Sequence, residues 1–462
     1  MTQRLCTIVF IAALAAAIGC AQVATGNLRG TVSDSTGGLL PGCSVTITHS
    51  STGLVRKVVT NEQGDFNAPS LPVGEYRIVI GLPGFQTKVL SGLTLQVDQT
   101  AIVPVVLEPG AVTQTMEVNA QAPVLDSQTS SLGQVIENKR IVDLPLNGRN
   151  PFQLGVLSGG AVAFQGLTTN LPILAGGGRH NANDILLDGV DDNLRNFNGK
   201  VGRAGLTYIP SVDAVEEFKV KTNSFSAEYG HSAGYTMNAT IKSGSNQYHG
   251  SAYEFLRNDA LDANNFVSNF SGKPKAEFRQ NQFGATVGGP VRVPFYNGHD
   301  KTFFFGDYEG LQIRQAATSS LLDLPPAVFR GGDFSGSPTR IYDPATRVLG
   351  PNGVAISNPF PGNVIPANRL DPTALTFQSL IPATNTGSAT SVTRNFLATS
   401  PQSTHRNQGD VKIDHRLNEK NNLMARVSIS NQNIPSQGTF IYSPAVQLFN
   451  TRNAALSDTH VF

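Results

Sequence analysis

The sequence has few cysteines, few charges and no long apolar helix. Only 3 of its 462 residues are Cys, and charged residues make up 15%. The 34 Lys and Arg balance the 33 Asp and Glu, so no net field attracts nucleic acid, which we exclude as a partner. No stretch beyond the amino terminus is long and apolar enough for a membrane-spanning helix. A chain of this kind crosses a membrane only as a β-barrel.

The amino terminus, residues 1–21, has the pattern of a secretory signal peptide. Arg4 supplies positive charge, residues 8–18 are apolar, and the small residues 19–21 precede a cleavage point. An amino-terminal core helix is the alternative, but charge, length and the small-residue flank together favour export.

Export would leave one cysteine in the mature chain. Cys6 and Cys20 would leave with the signal peptide and Cys43 would remain, so no internal disulfide is expected. Cys20 would alternatively be the lipidated residue of a lipoprotein, but Ala17 stands where such a signal usually carries Leu.

The abundant residues are those of turns. The 46 Gly and 27 Pro predict mainly β structure with few long helices. In residues 23–109, six or seven short alternating strands are separated by Gly, Pro, Asn or Asp, which predicts an antiparallel β-sandwich. The segments GTVSDSTGGLLPGCSVTI and TNEQGDFNAPSLPVGEYRIVI resemble the carboxypeptidase-regulatory-like domain, a transthyretin-like sandwich.

That resemblance implies no peptidase activity here. Metallocarboxypeptidase chemistry needs closely spaced His and Glu ligands, and none of the 8 His is followed three residues later by Glu. A zinc-binding helix of the H-E-x-x-H type is also absent. We therefore expect no catalytic residue, no metal, no cofactor and no enzyme.

Two short helices are predicted near residue 140. Residues 133–143 fit an amphipathic helix whose apolar side would carry Val135, Ile136, Ile141 and Val142. The segment LPLNGRNP ends it, and Asn150-Pro151 begins a second helix with a cap and Pro at the first position. The tripeptide Asn147-Gly148-Arg149 has the form of a cell-adhesion motif, but a turn between two helices explains it without a partner.

The region from residue 175 to 250 has strands and tight turns. Ile185 to Leu187 is an apolar strand stopped by Asp188-Gly189, a pair suited to a turn with positive φ. Ser211 is a candidate helix N-cap, with acidic residues in the first turn, namely Asp213, Glu216 and Glu217. Alternation in residues 218–221 and 235–242 predicts two half-buried strands.

Three of these segments resemble the plug domain of TonB-dependent outer-membrane receptors, in the Oar-like subgroup. They are LPLNGRNPFQLGVLSGG, ILLDGVDDN and VDAVEEFKVKTNSFSAEYGHSAGYTMNATIKSGSN. The match covers about a hundred residues and implies a plug at residues 133–245. Its motif positions are Asn147, Gly148, Arg149, Asp188, Gly189, Glu217, Glu228 and Gly230.

The resemblance also implies a location and partners. The protein would lie in the outer membrane of a Gram-negative cell, and a TonB-type protein of the inner membrane would energise it. Outward plug loops contribute to the substrate site in this family, so residues 179–203 are the predicted region. Iron chelates, oligosaccharides and peptides are all compatible substrates, and no individual contact residue is assigned.

A polar linker, residues 110–132, carries a segment that resembles a degenerate TonB box. It consists of Thr115, Met116, Glu117, Val118 and Asn119. An extended segment of this kind pairs as an added strand through main-chain hydrogen bonds. The alternative is that it is the last strand of the sandwich or only a linker.

From residue 246 onward the strands become longer and more aromatic. In NNLMARVSISN, Leu423, Ala425, Val427 and Ile429 would face one way, and Met424, Arg426, Ser428 and Ser430 the other. One apolar and one polar face in strands of about ten residues is typical of a barrel between lipid and a wet lumen. A soluble sandwich or propeller is the alternative, but FRQNQFGATVGGPV and FFFGDYEGLQ resemble the first barrel strands of the same receptors.

The barrel prediction is incomplete within this sequence. Such receptors have 22 strands, and five or six are predicted in residues 246–462, around a long extracellular loop at 324–403. An unclosed barrel leaves unpaired edges. We therefore expect the amino-terminal part of a longer receptor, or the product of a truncated reading frame.

Two further site hypotheses are weaker. Residues 230–234 fit a hydrolase nucleophile elbow around Ser232, but the strand-like sequence that follows gives no helix, which the elbow requires. The acidic and amide residues of 181–193 are a candidate calcium site, but their spacing does not match an EF-hand, and turn-forming side chains explain them better.

The sequence therefore favours a TonB-dependent transporter of an unidentified substrate. A cell-surface or periplasmic binding or adhesion protein is the first alternative, and it would be favoured if the box-like segment were buried. A secreted serine hydrolase is the second alternative.

Overall fold

The computed structural model describes residues 25–110, 115–119, 130–146, 148–163, 173–178, 182–194, 205–226, 229, 232–270, 272, 274–388, 390–436 and 445–461. These residues are mainly β structure, as expected, in three successive units. The predicted signal peptide lies outside the described residues. Within the described residues, no helix has both the length and the hydropathy to span a bilayer.

The first unit, the sandwich, has nine strands in two sheets. They are β1 (Gly26–Asp34), β2 (Ser44–His49), β3 (Val55–Val59), β4 (Asp65–Leu71), β5 (Gly74–Gly81), β6 (Thr87–Leu95), β7 (Thr100–Ile102), β8 (Val105–Leu107) and β9 (Thr115–Asn119). One sheet has the order β4-β1-β7, with β8 also on β1, and the other has the order β3-β2-β5-β6-β9. Leu28, Ile47 and Tyr76 lie in the buried core between them.

The sandwich prediction is confirmed, and the structure adds parallel pairings to it. β7 and β8 pair parallel to β1, and β9 pairs parallel to β6. A parallel partner requires a long crossover, and β2 to β6 supply one between β1 and β7. The predicted linker 110–132 thus contains a strand of the sandwich, and Cys43 is buried and free.

The second unit contains the central sheet, with the order β10-β17-β18-β13-β14. Its strands are β10 (Leu132–Glu137), β13 (Asp184–Leu187), β14 (Val190–Asp191), β17 (Val215–Asn223) and β18 (Thr236–Ile241). Two small hairpins accompany it, β11 (Ala161–Ala163) with β12 (Ile173–Ala175) and β15 (Asn193–Leu194) with β16 (Gly205–Leu206). A helix (Asn138–Asp143) and a 3₁₀ helix (Pro151–Leu157) follow β10.

Three local predictions in this unit need correction. Val135 and Ile136 belong to β10, and the helix starts only at Asn138, because pairing with β17 overrides the helical pattern. Ser211 caps no helix, since a turn at 212–214 leads directly into β17. β17 and β18 are buried on both faces, not half-buried, because other units cover their polar face. The second predicted helix does begin at Pro151, where the Asn150 side chain accepts from the Phe152 amide.

The third unit, the wall, is a sheet of six antiparallel strands in chain order. They are β19 (His249–Asn258), β20 (Phe278–Pro290), β23 (Thr302–Leu322), β26 (Phe396–Arg416), β27 (Asn421–Ser436) and β28 (Ala445–His460). On β27, Val427 is 48% exposed and Ile429 41%, while Arg426 and Ser428 are buried, so the predicted alternation is confirmed. A turn at Asn418, whose side chain accepts from the Asn421 amide, joins β26 to β27.

The connections of the wall contain small elements. Between β20 and β23 lie β21 (Arg292–Val293) and β22 (Tyr296–Asn297). The long segment predicted at 324–403 is shorter, because β26 already begins at Phe396, and it contains β24 (Val348–Leu349) and β25 (Ala355–Ile356). The helices are Phe266–Phe270, Ala327–Arg330 and Pro372–Ser379, and the 3₁₀ turns are Asp259–Leu261, Pro344–Thr346, Pro361–Asn363 and Ala367–Arg369.

Candidate functional site between the central sheet and the wall

The Asp188-Gly189 turn places a carboxylate at the end of the central sheet. Asp188 and Gly189 have φ of 48° and 79°, so they form the tight hairpin turn between β13 and β14 that the sequence predicts. The Asp188 amide donates to the Ala239 carbonyl over 2.8 Å, and its Oδ1 accepts from the Ile241 amide over 3.2 Å. The turn is therefore fixed to β18, with its carboxylate directed at the wall.

Two cations of the wall meet this carboxylate. Lys412 Nζ lies 3.1 Å from Asp188 Oδ1, and Arg426 Nε lies 2.8 Å from Asp188 Oδ2. All three side chains are buried. Lys412 on β26 and Arg426 on β27 are register partners, so without an anion two buried cations would face each other. Asp188 therefore supplies a counter-charge to both cations at once, in addition to Asp410 of the wall, whose Oδ1 lies 4.0 Å from Arg426 Nη1.

The same two cations also bind carbonyl groups of the central sheet. Lys412 Nζ donates to the Ile241 carbonyl over 2.8 Å, and Arg426 Nη2 donates to the Leu187 carbonyl over 3.1 Å. Arg426 Nη2 also donates to Asn453 Oδ1 of β28 over 3.0 Å. Strand ends leave carbonyl groups without ladder partners, and a buried carbonyl needs one. The wall supplies these partners for β13 and β18.

A second polar cluster joins the wall to the segment before β17. Asp307 on β23 and Asp410 on β26 are register partners, so a half-buried and a buried carboxyl group stand side by side. Tyr208 donates through its hydroxyl to Asp410 Oδ2 over 2.6 Å, and Ser211 donates to Asp307 Oδ2 over 2.9 Å. Burial, together with the nearby Asp410 charge, raises the pKa of the Tyr208 phenol well above its usual value, so the hydroxyl stays a donor.

Ser211 thus has a role that the sequence did not predict. Instead of capping a helix, its hydroxyl binds Asp307 of the wall. Ser428 on β27 donates to the other oxygen of Asp410. Each carboxyl group is therefore bound by at least one hydroxyl donor.

A third cluster is centred on Glu309 of β23, which is buried. Glu309 accepts from Arg406 over 3.1 Å, from Gln408 over 3.1 Å and from Gln282 over 2.8 Å. Gln408 also donates to the Ile209 carbonyl over 3.0 Å. The inward face of three adjacent wall strands is therefore a polar surface that fits the central unit.

Of the predicted motif residues that the structure describes, Gly148, Arg149, Asp188 and Gly189 lie on the side of the wall, and Glu217 lies on the side of the sandwich. Gly148 and Arg149 form a turn, and the Arg149 guanidinium lies 3.5 Å from the Phe255 ring centre on β19. Asp188 and Gly189 form the turn described above. Glu217 points away from the wall, toward the sandwich, where it accepts from the Val97 amide. Asn147, Glu228 and Gly230 lie outside the described residues.

The described residues support neither a serine-hydrolase site at Ser232 nor a calcium site in the acidic region 181–193. Ser232 Oγ donates to the carbonyls of Ala182 and Tyr235, and the strand β18 follows it instead of a helix. In the acidic region, Asn193 Nδ2 donates to Asp184 over 2.9 Å and to Asp191 over 2.6 Å, as turn-forming side chains do. Within the part of the chain that the structure describes, no group of three or more His, Cys, Asp or Glu could bind a metal.

The residues on the wall side of this site were not predicted from the sequence. Arg426 was placed on the inward face, but it was not assigned a partner. Asp307, Glu309, Asp410 and Lys412 were not singled out. Charged side chains at inward positions of alternating strands were the available signal, because a charge directed into a narrow lumen needs a partner there.

Comparisons with known proteins agree with this architecture. Residues 27–108 match the carboxypeptidase regulatory-like domain, and residues 240–462 match the outer membrane beta barrel domain. These two matches thus make the chain similar to outer-membrane β-barrel proteins, with an amino-terminal regulatory-like sandwich. Over 291 residues the chain is 26% identical to the TonB-dependent transporter Oar of Myxococcus xanthus. This confirms the resemblance to TonB-dependent receptors of the Oar type.

The alignment covers 61% of this chain and 26% of the transporter, so the chain spans about a quarter of the length of this curated relative. The relative is a transporter, in agreement with the expectation that the chain is not an enzyme.

Two solved structures of low similarity complete the comparison. The outer membrane transporter YddB from Escherichia coli is 10% identical, with a TM-score of 0.42, over 71% of this chain and 37% of that chain. A ferric enterobactin receptor from Pseudomonas aeruginosa, in complex with enterobactin, is 14% identical, with a TM-score of 0.36, over 66% and 33%.

Proposed function

We propose that this chain supplies the sandwich, the plug and part of the barrel of a TonB-dependent outer-membrane transporter. Export through a signal peptide would bring it to the outer membrane of a Gram-negative cell. The central unit is the plug, which gates the path for an extracellular small molecule, oligosaccharide or peptide. The observation that carries the proposal is the binding of Asp188 by Lys412 and Arg426 of the wall.

A gate must be firmly closed and yet able to open, and a polar contact suits both demands. The apolar cluster of the central unit contains one wall residue, Phe305, among its buried members. The rest of the contact described above consists of ion pairs and hydrogen bonds. Removing one partner of a buried ion pair is costly. When the two surfaces separate, however, water can hydrogen-bond to the exposed polar groups, which it cannot do for an apolar core. The central unit can therefore separate from the wall without unfolding of the wall.

The box-like segment supports coupling to a TonB-type partner. Thr115–Asn119 forms β9, which is parallel to Thr87–Ser91 of β6. β9 is the terminal strand of its sheet among the described residues. An outer strand edge accepts a further strand through main-chain hydrogen bonds. The two earlier interpretations of the segment are thus compatible, since it is a strand of the sandwich and also offers an edge.

No substrate contact is assigned. The prediction that residues 179–203 contribute to the substrate site stays a prediction, and the described part of this region is 182–194.

Site-specific photo-crosslinking in cells tests the energy coupling. A photoreactive benzoylphenylalanine at Glu117 is expected to crosslink to a TonB-type inner-membrane protein. The same residue at Glu62, which is exposed in a turn of the sandwich, is the matched control and should give no such product. Outer-membrane fractionation shows that both variants are correctly placed.

A correctly placed protein that gives no crosslink from any position in 115–119 would contradict the proposal. It would favour the alternative of a surface binding or adhesion protein that transports nothing. Binding of the cells to polysaccharide without uptake would then be the decisive observation.

A further inference from the structure

The turn between β6 and β7, Gln96 to Gln99, extends from the sandwich to the central sheet. We call it the 96–99 turn. It is fixed within the sandwich, because the Gln96 amide donates to Gln99 Oε1 over 2.9 Å and the Asp98 amide donates to the Thr25 carbonyl over 3.0 Å. Asp98 has a φ of 53°, a left-handed conformation that Asp, Asn and Gly tolerate best. The turn is therefore a preformed projection of the sandwich.

Asp98 binds three elements of the central unit. Its carboxylate lies 3.2 Å from Lys221 Nζ on β17 and accepts from the Tyr229 hydroxyl over 2.7 Å. Its carbonyl accepts from Lys219 Nζ over 2.9 Å, and Asn238 of β18 lies 3.4 Å from the carboxylate. One residue of the sandwich thus contacts Lys219 and Lys221 of β17 and Asn238 of β18.

The 96–99 turn also contacts one residue on each of two paired strands, β10 and β17. The Val97 amide donates to Glu217 of β17, and Gln96 Nε2 donates to Glu137 Oε1 of β10 over 2.6 Å. Glu137 and Glu217 are register partners. The turn therefore bridges β10 and β17 at one end of their ladder.

The polar face of β17 makes these contacts necessary. Phe218 and Val220 face the apolar cluster, while Glu217, Lys219 and Lys221 alternate with them and are only 7%, 7% and 8% exposed. Buried charges without partners are strongly destabilising. The sandwich covers these charges and partners them, so the polar face of the sheet is matched to the 96–99 turn.

The position of β10 at the edge of the central sheet determines which strand would separate first under tension. β10 is the terminal strand of the central sheet and the next described strand after β9 along the chain. Tension applied to Thr115–Asn119 would reach β10 before any other strand of the sheet. β10 pairs with β17 alone among the described strands, so β10 would separate first.

We propose that the 96–99 turn holds β10 against β17, so that the sandwich keeps the central sheet closed until this turn is released. A role of this restraint in gating rests on the proposed transport function. The restraint of β10 against β17 by the turn does not depend on that function. In this view the sandwich restrains the gate: Gln96 contacts β10, and Asp98 anchors the turn on β17 and β18.

Amide hydrogen exchange on the purified full chain in detergent tests the proposal. The variants D98N and D98G keep the left-handed turn but remove, respectively, the charge and the whole side chain. Exchange at β10 and β17 is expected to rise about tenfold in D98G, equivalent to ~1.4 kcal/mol of opening free energy, and less in D98N. Exchange at β2 and β5 of the sandwich should be unchanged. E62Q, at an exposed acid of the same domain, is the control.

The double variant D98N/K221M distinguishes loss of the restraint on β10 from loss of the counter-charge of Lys221. In D98N, Lys221 loses its buried counter-charge, and adding K221M removes that cost. If the turn restrains β10, the double variant still exchanges faster than wild type at β10, because the Asp98 contacts with Tyr229 and Asn238 stay weakened. Wild-type exchange at β10 in D98G and in the double variant, or an equal rise in every strand of the chain, would overturn the proposal.

This readout needs neither a substrate nor a TonB-type partner. The absence of a crosslink from every position in 115–119, with faster exchange in D98G, would refute the transport proposal and leave the restraint standing. A successful crosslink with unchanged exchange would do the reverse.

Discussion

The central sheet is bound on two sides, and the two contacts differ in their burial. On the wall side, the Asp188, Lys412 and Arg426 side chains are 2%, 5% and 0% exposed. On the sandwich side, Asp98 and Lys221 are 13% and 9% exposed. Water competes more effectively with a contact at an edge than with one that it cannot reach. The sandwich contact is therefore the more accessible to water, and we expect a modest force to release it before the wall contact.

The largest expected effect comes from Asp188. The substitution Asp188→Asn keeps the left-handed turn but removes the carboxylate that Lys412 and Arg426 share. We expect a loss of about 3–5 kcal/mol in the stability of the central sheet against the wall. Denaturant unfolding of the purified protein in detergent measures it.

Asp191→Asn is the matched control for Asp188→Asn. Asp191 is in the same hairpin but exposed, and Asn keeps an oxygen that can accept from the Asn193 amide. An effect under about 1 kcal/mol is expected there. Equal effects at both positions would mean that the hairpin itself, and not its contact with the wall, determines the stability.

The second effect is a pH dependence at Glu217, on the sandwich side of the central sheet. Burial, with the charges of Glu216 and Glu137 nearby, raises the pKa of Glu217 to about 8, although the Val97 amide and Lys219 oppose the shift. The folded state therefore holds this proton more tightly than the unfolded state does. The stabilisation is complete below the unfolded pKa near 4.5 and is lost as the pH rises toward 8.

Over that window the loss should be on the order of 3 kcal/mol, read as faster amide exchange at β10 and β17 after correction for intrinsic rates. Glu217→Gln should remove this dependence. Glu75→Gln, at a strand of the sandwich, should leave it intact. A pH response that is unchanged in Glu217→Gln would assign the titration to another group.

The third effect tests the carboxyl pair of the wall. Tyr208→Phe removes the donor to Asp410, and a hydrogen bond to a carboxyl group of this kind is worth about 2 kcal/mol. Tyr76→Phe is the control, since the Tyr76 hydroxyl donates to a neutral carbonyl, that of Pro72, within the sandwich. It should cost about 1 kcal/mol and affect only the sandwich. Denaturant unfolding followed by exchange in each unit tells the two apart.

Local chemistry explains which parts of the fold were predictable. The turn at Asp188-Gly189 needs two residues that accept positive φ, and the alternation on β27 needs only a strand with two different environments. Both signals lie within a few residues of each other in the sequence, and both predictions were confirmed.

The missed features all depend on distant partners. Val135 and Ile136 fit a helix as well as a strand, and only pairing with β17 decides between them. The polar face of β17 resembles a solvated face until the 96–99 turn covers it. Ser211 is a good N-cap by its own chemistry, but its hydroxyl binds Asp307, far along the chain. The sequence thus predicts where the motif residues lie, but not which unit partners them.

The smallest expected effect concerns Arg149, which lies at the edge of the contact between the central unit and the wall. The Arg149 guanidinium lies over Phe255 and 4.0 Å from Asp213, and it is 15% exposed. Arg149→Lys keeps the charge but loses the planar stacking, so we expect a cost of about 0.5–1 kcal/mol. A double-mutant cycle with Phe255→Leu isolates the coupling. Arg257→Lys is the control, since Arg257 stacks on Phe278 within the wall. A coupling near zero would mean that the contact with β19 adds nothing to the attachment of the central unit, and that the buried clusters of Asp188 and Asp410 account for it.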